Sequence, residues 1–183
     1  MKATGIVRRI DELGRVVIPK EIRRTLRIRE GDPLEIFTDR EGQVILKKYS
    51  PIGELNEFAQ EYCDSLHEST NHTAMISDRD FIIAISGGSK REYLEKRISP
   101  ELEKLTENRS TYSTNADNKP MKITYDDPNL DKYTAQVIAP IIMQGDPIGS
   151  VILISKESNA VMGELEIKLT ETAAGFLSKQ MES

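Results

Sequence analysis

The sequence predicts an α+β protein built from two units, on the basis of its hydrophobic patterning and its uneven charge. Short strand-like segments and one short helix fill residues 1–50. Residues 51–183 follow the order helix, strands, short helices, strands, helix, which is typical of an α+β sandwich on an antiparallel sheet. Residues 1–50 carry 12 Lys and Arg against 8 Asp and Glu, whereas residues 51–183 carry 13 against 22. Such asymmetry indicates a basic, nucleic-acid-binding segment joined to an acidic body.

The first unit is predicted to contain four strands and one helix. Apolar and basic residues alternate at its start, which favours a strand. Pro19 suits the first position of a helix because its fixed φ fits and its missing N–H is not needed there. The expected elements are strands over 4–10 and 15–18 joined by a turn at 11–14, a helix over 20–27, and strands over 34–38 and 43–48 joined by a hairpin turn at 39–42.

So few elements enclose a very small core. A unit of this size usually needs a metal, a disulfide or a partner chain. The single cysteine, Cys63, excludes an internal disulfide and a multi-cysteine metal site, and it suits a semi-buried small residue better than a nucleophile. His67 and His72 are poorly spaced for a metal and are expected at the surface. We therefore expect residues 1–50 to form an intertwined homodimer.

Basic residues of the first unit cluster on one side of its predicted helix. At 100° per residue, Ile22 and Leu26 form the expected buried stripe, and four cations lie opposite within roughly 100°. A solvated face is the alternative interpretation, but such a face usually mixes charge signs. Arginine, in contrast, suits bidentate contacts with phosphates and guanine edges. With three arginines from neighbouring strands, the expected DNA-binding residues are Arg8, Arg9, Arg15, Lys20, Arg23, Arg24 and Arg27.

Residues 1 to about 50, with the motifs LGRVVIPKEIR and REGDPLEIF, resemble the AbrB-type swapped-hairpin DNA-binding domain without a gap. The resemblance implies a domain-swapped dimeric β-barrel that binds double-stranded DNA through arginines matching Arg8, Arg15, Arg23 and Arg24. Arg9 occupies a position that is also basic in relatives. The family's recognition relies on DNA shape and flexibility. With the second unit included, the chain resembles transcription regulators of endospore-forming bacteria, which implies activation or repression of sporulation genes.

The second unit is expected to start with a linker helix over 51–70 and to continue as a separate domain over 71–183. Apolar residues recur at spacings of three and four over 51–69, as in a helix. Ser99 is the expected N-cap of a later helix, with Pro100 in its first turn. The expected later elements are strands over 73–77 and 81–85, helices over 91–97 and 99–108, a polar loop over 111–120, strands over 133–143 and 148–155, and a helix over 163–181 burying Leu165, Leu169, Ala173, Phe176 and Leu177.

The end of this unit resembles a GAF domain, through the strand over 133–143, the turn Gly145-Asp146-Pro147, the strand IGSVILIS and the long last helix. GAF domains hold a small ligand between the sheet and the short helices, so the resemblance implies a pocket there. The alternative is that the same residues are ordinary core. No ligand identity, cofactor or metal follows from the sequence. The candidate lining residues are Ile83, Ile85, Ser86, Tyr93, Leu94 and Ile142.

The helices over 51–69 and 163–181 have apolar stripes that can pack on the sheet or pair between chains. Residues 52, 55, 59, 62 and 66 fit the 3.5-residue spacing of an intermolecular bundle. The family resemblance implies a homotetramer, a dimer of dimers, held in this way. Packing on the sheet within one chain remains the alternative.

Composition excludes several classes of function. No apolar run reaches the ~18 residues that a membrane span needs, and the N-terminus lacks the apolar core of a signal peptide, so we expect a cytoplasmic protein without a membrane partner. One cysteine and two histidines leave few routes to an active site. A GAF-type methionine sulfoxide reductase would need several pocket cysteines. The sequence therefore predicts a protein that is not an enzyme.

The leading prediction is a DNA-binding transcription regulator whose second domain senses a small molecule or holds a tetramer. One alternative is an antitoxin-like module, since the same barrel serves in toxin–antitoxin pairs. Antitoxins usually end in a disordered toxin-binding tail, whereas residues 51–183 are patterned for folding. Another alternative is a GAF-scaffold interaction protein without gene-regulatory DNA binding.

Overall fold

A computed structural model describes residues 4–52, 56–114 and 118–182. The chain divides into two compact units, Met1–Tyr49 and Ser50–Ser183. The helix expected as a linker over 51–70 therefore lies within the second unit. Its expected residues 53–55, Leu55 among them, lie outside the described residues.

The first unit contains one short helix and a two-stranded hairpin. The hairpin turn is fixed by Asp39, whose Oδ1 accepts hydrogen bonds from the amides of Glu41 and Gln43, both at 2.9 Å. These three elements lie where the sequence predicts them, within one residue at each end. They are α1 (Lys20–Leu26), β1 (Leu34–Thr38) and β2 (Val44–Lys48), with the two strands antiparallel.

The strands expected over 4–10 and 15–18 are not formed. Both segments have irregular backbone. A strand requires a neighbour to complete its hydrogen-bond ladder. In the described chain these segments meet at the turn between them, where the Asp11 amide donates to the Arg15 carbonyl and the Gly14 amide donates to the Asp11 carbonyl, both at 3.0 Å. That turn alone does not build a strand pair.

No apolar residue in the described part of the first unit is buried, which corrects the expected stripe on α1. Leu26 is 56% exposed and Ile22 is half-buried. Other large apolar side chains are more open, with Val7 at 87%, Leu13 at 75% and Val17 at 71% exposed. The elements of one chain are too few to cover one another.

The second unit is built on a five-stranded antiparallel sheet with strand order β4-β3-β7-β6-β5. This confirms the predicted α+β class with an antiparallel sheet. The elements in chain order are α2 (Asn56–Thr70), β3 (Thr73–Asp78), β4 (Ile82–Ser86), α3 (Lys90–Tyr93), α4 (Pro100–Glu107), β5 (Tyr112–Ser113), a 3-10 helix (Leu130–Lys132), β6 (Ala135–Met143), β7 (Asp146–Ser155) and α5 (Glu164–Met181).

The sheet separates two apolar cores, because successive side chains of a strand point to opposite faces. On β7, Val151 and Leu153 join the core that includes Cys63 of α2 and Leu177 of α5. Ile152 and Ile154 join the second core, with Tyr93 of α3 and Leu102 of α4. The two long helices thus cover one face and the two short helices cover the other. 

The turn between β6 and β7 lies one residue earlier than expected. Met143 pairs with Asp146, so the turn consists of Gln144 and Gly145, and Pro147 belongs to β7. Both turn residues have positive φ, 50° and 89°, which is the combination that a type I′ hairpin turn needs.

Two further expectations are corrected by non-local contacts, and a third is confirmed. The helix expected over 91–97 ends at Tyr93, since Glu95 has a φ of 59° and Arg97 forms a β-bridge with Phe81. The loop expected over 111–120 contains β5, which pairs with β6, and its residues 115–117 lie outside the described residues. The predicted cap of α4 is confirmed, because Ser99 Oγ accepts from the Leu102 amide at 3.0 Å.

The buried face of α5 differs from the expected one. Thr170, Ala173 and Leu177 are fully buried, whereas Leu165 is 67% and Phe176 is 40% exposed. Small residues in the middle of α5 let the helix lie close to the sheet, and the larger side chains project beside that contact. Among the described residues, no helix has both the length and the apolar character needed to cross a membrane.

Candidate nucleic-acid interface

The helix α1 presents the basic cluster, and its ends are fixed by backbone hydrogen bonds. At the start, the Arg23 amide donates to the Pro19 carbonyl at 2.9 Å. At the end, the Ile28 amide donates to the Arg23 carbonyl at 2.8 Å and the Arg27 amide donates to the Arg24 carbonyl at 3.4 Å, which is a Schellman motif. Arg27 holds the left-handed position, with a φ of 53°. Since that conformation costs a non-glycine residue about 1–2 kcal/mol, α1 is stopped here at some energetic cost.

Five of the seven predicted DNA-binding side chains are open to solvent and free of protein partners. Arg8, Arg9, Lys20, Arg23 and Arg24 are exposed, and none forms a side-chain hydrogen bond or ion pair with the described part of the chain. Unpaired guanidinium and ammonium groups in water are available to bind phosphates.

Arg15 differs from these five residues because its side chain is paired with the carboxylate of Asp11. The Oδ2 of Asp11 accepts from Arg15 Nε at 2.8 Å, and its Oδ1 accepts from the amides of Leu13 and Arg15 at 3.0 and 2.8 Å. These bonds, led by the one from the Arg15 amide, lower the pKa of Asp11. The pair positions Arg15 on the turn. The sequence reasoning overlooked Asp11, although an aspartate four residues before an arginine across a Gly14 turn signals this arrangement.

Arg27 is half-buried and belongs to a second contact, between α1 and the hairpin. Lys48 Nζ donates to the Arg27 carbonyl at 3.1 Å and lies 3.7 Å from Asp32 Oδ2. The same Asp32 oxygen accepts from the Arg29 amide at 2.8 Å. Lys48 and Asp32, which the sequence reasoning did not select, thus tie β2 to the end of α1.

The six residues predicted to line a ligand pocket are divided between different parts of the second unit. Ile85 and Tyr93 are buried in the core beneath α3 and α4, with Leu94 packed against it. Ile83 packs against the opposite core, and Ile142 lines a groove beside α5.

Two of these six have polar side chains, and both are engaged. Ser86 hydrogen-bonds Asp64 and helps to lower the pKa of that carboxyl group. The hydroxyl oxygens of Tyr93 and Tyr133 lie 2.8 Å apart, and the Tyr133 hydroxyl donates to Asp127. Burial, first of all, raises the pKa of Tyr133. Tyr93 is therefore part of a buried polar network.

The remaining reactive candidates have structural surroundings. Cys63 is fully buried, and burial raises the pKa of its thiol, which disfavours the nucleophilic thiolate. His67 and His72 are half-buried, not at the surface as expected, and the Nδ1 of His67 lies 2.8 Å from the carbonyl oxygen of His72. This contact closes the turn after α2.

An exposed cationic helix on a small unit, followed by an α+β domain with its own cores, is typical of a DNA-binding regulator with two domains. Family models cover nearly the whole chain. Residues 54–182 match the family described as Stage V sporulation protein T C-terminal, transcription factor. Residues 7–54 match the family described as Antidote-toxin recognition MazE, bacterial antitoxin.

Characterised relatives agree with these matches. The chain is 58% identical over 182 residues to Stage V sporulation protein T of Bacillus subtilis (strain 168), covering 100% of this chain and 99% of that protein. It is 69% identical over 51 residues to Transition state regulatory protein AbrB of the same organism, which is 28% of this chain and 52% of that protein. The chain belongs to the stage V sporulation protein T family of transcription factors.

A solved structure shows the fold of the second unit. The GAF domain region of a putative membrane protein from Geobacter sulfurreducens aligns with a TM-score of 0.56 and 16% identity, over 72% of this chain and 95% of that one. The second unit therefore has a GAF-like fold, as predicted.

The predicted function class is confirmed through the family. The protein is a DNA-binding transcription regulator of sporulation with an AbrB-like first domain. Since the family consists of transcription factors, the prediction that the protein is not an enzyme is also confirmed.

Proposed function

We propose that this regulator acts in the cytoplasm as a homodimer whose first domains, residues 1–50, pair into one domain-swapped β-barrel. The observation that carries the pairing is that no apolar residue among the described residues 4–49 is buried. Large exposed apolar surfaces are typical of interaction sites. The segments over 4–10 and 15–18 have no strand partner within the described chain, so a second chain can supply the pairing that completes a barrel.

The dimer of first domains binds double-stranded DNA through Arg8, Arg9, Arg15, Lys20, Arg23, Arg24 and Arg27. Support comes from the exposure of the unpaired cations on and before α1. Pairing doubles the cationic surface and gives it two-fold symmetry, which suits a pseudo-palindromic or bent duplex. Recognition then depends on DNA shape and deformability more than on base contacts.

Changing Arg23 and Arg24 together to Ala tests this interface. The double variant is expected to lose DNA binding in an electrophoretic mobility assay and to keep the dimer mass in analytical ultracentrifugation, since both side chains are exposed. The matched control, Lys104→Ala with Lys168→Ala, removes the same charge from the second unit and should bind DNA normally. Dissociation of the Arg23/Arg24 variant into monomers would instead make those arginines structural.

The helices α2 and α5 hold two dimers together as a tetramer in this proposal. The rings of Phe58, Tyr62 and Phe176 form one aromatic cluster, with Tyr62 and Phe176 stacked at 5.6 Å between ring centroids. Phe176 is 40% exposed and Leu165 on the same helix is 67% exposed. An aromatic cluster that is partly open to solvent on two contacting helices favours contact with another copy.

Ultracentrifugation of Phe176→Glu tests the tetramer. The added charge is expected to halve the assembly mass to that of a dimer, whereas Ser110→Glu, which adds the same charge at an exposed position beyond α4, should leave the mass unchanged. A wild-type protein that sediments as a dimer would refute the tetramer.

The GAF-like domain senses a small molecule and passes the signal to the DNA-binding domain. A ligand acts on DNA binding only if it binds one arrangement of the paired domains better than another. The measurement is the DNA affinity of the full-length protein in the presence of fractionated metabolite extracts. DNA affinity that no fraction changes would remove the sensing role and leave the domain as an assembly module.

The match of residues 7–54 to an antitoxin family keeps an antitoxin-like role as the second candidate. Against it, residues 50–182 form a domain with two buried cores in place of a disordered toxin-binding tail. Genome-wide DNA occupancy separates the two, because a regulator of sporulation occupies many sporulation promoters and an antitoxin occupies mainly its own.

A further inference from the structure

A cleft in the second unit lies between the segment that follows α3 and the segment that precedes the 3-10 helix. Its volume is about 490 Å³, within the range of small-molecule sites. Arg91, Lys96, Arg97 and Tyr125 line it together with the carboxylates of Glu92 and Asp126. Tyr93, the next residue of α3, is buried in the core and is not among the lining residues.

The backbone at the base of the cleft is held by long-range pairing. The Tyr125 amide donates to the Arg97 carbonyl at 2.9 Å, and Ile98 pairs with Thr124 in a β-bridge. Arg97 also forms a β-bridge with Phe81, which immediately precedes β4. These bonds fix Arg97 beside Tyr125, and the guanidinium carbon lies 5.0 Å from the centre of the tyrosine ring. A cation held over an aromatic face in this way is preorganised for binding.

Within the described residues, the three cations of the cleft have no carboxylate or carbonyl partner for their side chains. Arg97 is half-buried, and its Nε is buried without a hydrogen-bond acceptor in the described residues. Arg91 and Lys96 are exposed and form no side-chain hydrogen bond or ion pair within the described chain. A buried N–H without an acceptor costs free energy, and no protein carboxylate neutralises the guanidinium group that bears it.

The acidic groups only partly offset this charge. Glu92 already accepts a hydrogen bond from the side-chain Nδ2 of Asn129 at 2.9 Å, and Asp126 is exposed to water. Three cations therefore face two carboxylates, so the cleft favours an anion. Two guanidinium groups and one ammonium match a phosphate group, which carries close to two negative charges at pH 7 and offers three acceptor oxygens.

We infer that this cleft binds a small phosphate-bearing anion, with Arg91, Lys96 and Arg97 around the phosphate group. The inference rests on the proposed sensing role only for its effect on DNA; the binding itself requires the cleft alone. Free inorganic phosphate and a phosphate monoester share this chemistry. A monoester binds more tightly than free phosphate when its organic group also contacts the rest of the cleft.

Isothermal titration of full-length protein with inorganic phosphate, and separately with ribose 5-phosphate, tests the inference. Both titrations use the Arg23→Ala/Arg24→Ala background, which removes the main competing phosphate contacts of α1, and a buffer of constant ionic strength. Saturable binding is expected, and Arg91→Ala with Lys96→Ala should weaken it at least tenfold. Arg97→Gln should weaken it similarly, and Lys104→Ala should leave it unchanged. Tighter binding of the ribose ester than of phosphate would identify the monoester as the ligand class.

The outcomes distinguish phosphate binding in the cleft from the proposed effect of a ligand on DNA affinity. Absence of saturable binding, or equal binding by the cleft variants and Lys104→Ala, overturns the inference. The exposed pair Arg91 and Lys96 keeps the test valid if Arg97→Gln fails to fold. Binding that leaves the DNA affinity of the wild-type protein unchanged supports the cleft and refutes its role in sensing. A DNA response to other metabolites in a wild-type protein that shows no saturable phosphate binding refutes the cleft and supports the sensing role.

Discussion

At the scale of one residue, single aspartates fix two turns of the first unit, and one of them also positions an arginine. Asp11 and Asp39 occupy similar turns, each accepting amide hydrogen bonds through Oδ1, yet Asp11 alone of the two also pairs with an arginine, Arg15. The pair orders Arg15 and at the same time places a negative charge beside a proposed phosphate contact.

Asp11→Asn is expected to tighten DNA binding. Asparagine retains Oδ1 as the acceptor for the turn and removes the charge that competes with phosphate for Arg15. A surface ion pair is worth about 0.2–1 kcal/mol, so the gain should be up to about fivefold in dissociation constant, measured by fluorescence anisotropy. Asp39→Asn removes the same charge from the same unit without an arginine partner. Equal gains in both variants would mean that net charge, not release of Arg15, is responsible.

Asp78 shows how burial opposes a charge. Its pKa is raised, first by burial and further by the neighbouring Asp80, while amide hydrogen bonds from Asp80 and Phe81 partly counter this. An acid whose folded-state pKa is raised contributes stability that is present below its ordinary value of 3.8 and is lost as the pH rises through the folded-state value.

Asp78→Asn should therefore be more stable than the wild type at pH 7, and the difference should vanish below pH ~4. Asparagine Oδ1 accepts the same two amide bonds, so the turn is preserved. Urea unfolding of the full-length protein from pH 3.5 to 7 measures the difference. A variant that is less stable at pH 7 would show that the ionised carboxylate is needed.

At the scale of the elements, local signals were sufficient for some parts of the fold. The β1–β2 hairpin and α4 were predicted because Asp39, Gly42 and Ser99 carry their own turn and cap chemistry. The strand β5 and the early end of α3 were missed because each depends on a partner distant in sequence. The same limit applies to the cleft, since nothing local places Arg97 beside Tyr125.

Two glycines of the second unit should respond in opposite ways to alanine. A Cβ at Gly149 on β7 would collide with the backbone carbonyl oxygen of Ser77 on β3, whereas a Cβ at Gly175 on α5 meets nothing within 4 Å. Gly149→Ala should destabilise the domain by about 1–3 kcal/mol through overpacking against backbone. Gly175→Ala should stabilise it by about 0.5–1 kcal/mol through helix propensity.

Thermal and urea unfolding of both variants measure these effects. Gly175→Ala is the internal control for the added methyl group, because it makes the same chemical change on a helix. A stable Gly149→Ala domain would require β3 and β7 to move apart without loss of pairing, which crystallography of that variant would detect.

At the scale of the whole molecule, the two units differ in how much apolar surface they bury. The second has two cores of its own, whereas the described part of the first buries no apolar residue and presents most of its predicted DNA-binding cations to solvent. DNA binding by such a surface is dominated by phosphate contacts and release of counterions.

DNA affinity should therefore depend steeply on salt. If the proposed dimer makes six to ten phosphate contacts, affinity should fall by about 10³–10⁵ between 50 and 200 mM salt. Anisotropy titrations with a constant duplex measure the slope of log affinity against log salt concentration. A nearly flat slope would contradict a phosphate-dominated interface and favour direct base contacts.

The incomplete first unit also has a consequence for gene dosage. In the proposed homodimer, two chains must meet before either has a finished DNA-binding domain, so while pairs are scarce their number grows with the square of the free-chain concentration. A twofold rise in synthesis then yields about a fourfold rise in competent repressor or activator. Unpaired chains, with Val7 and Leu13 in water, are suited to removal by proteases, which would sharpen the threshold.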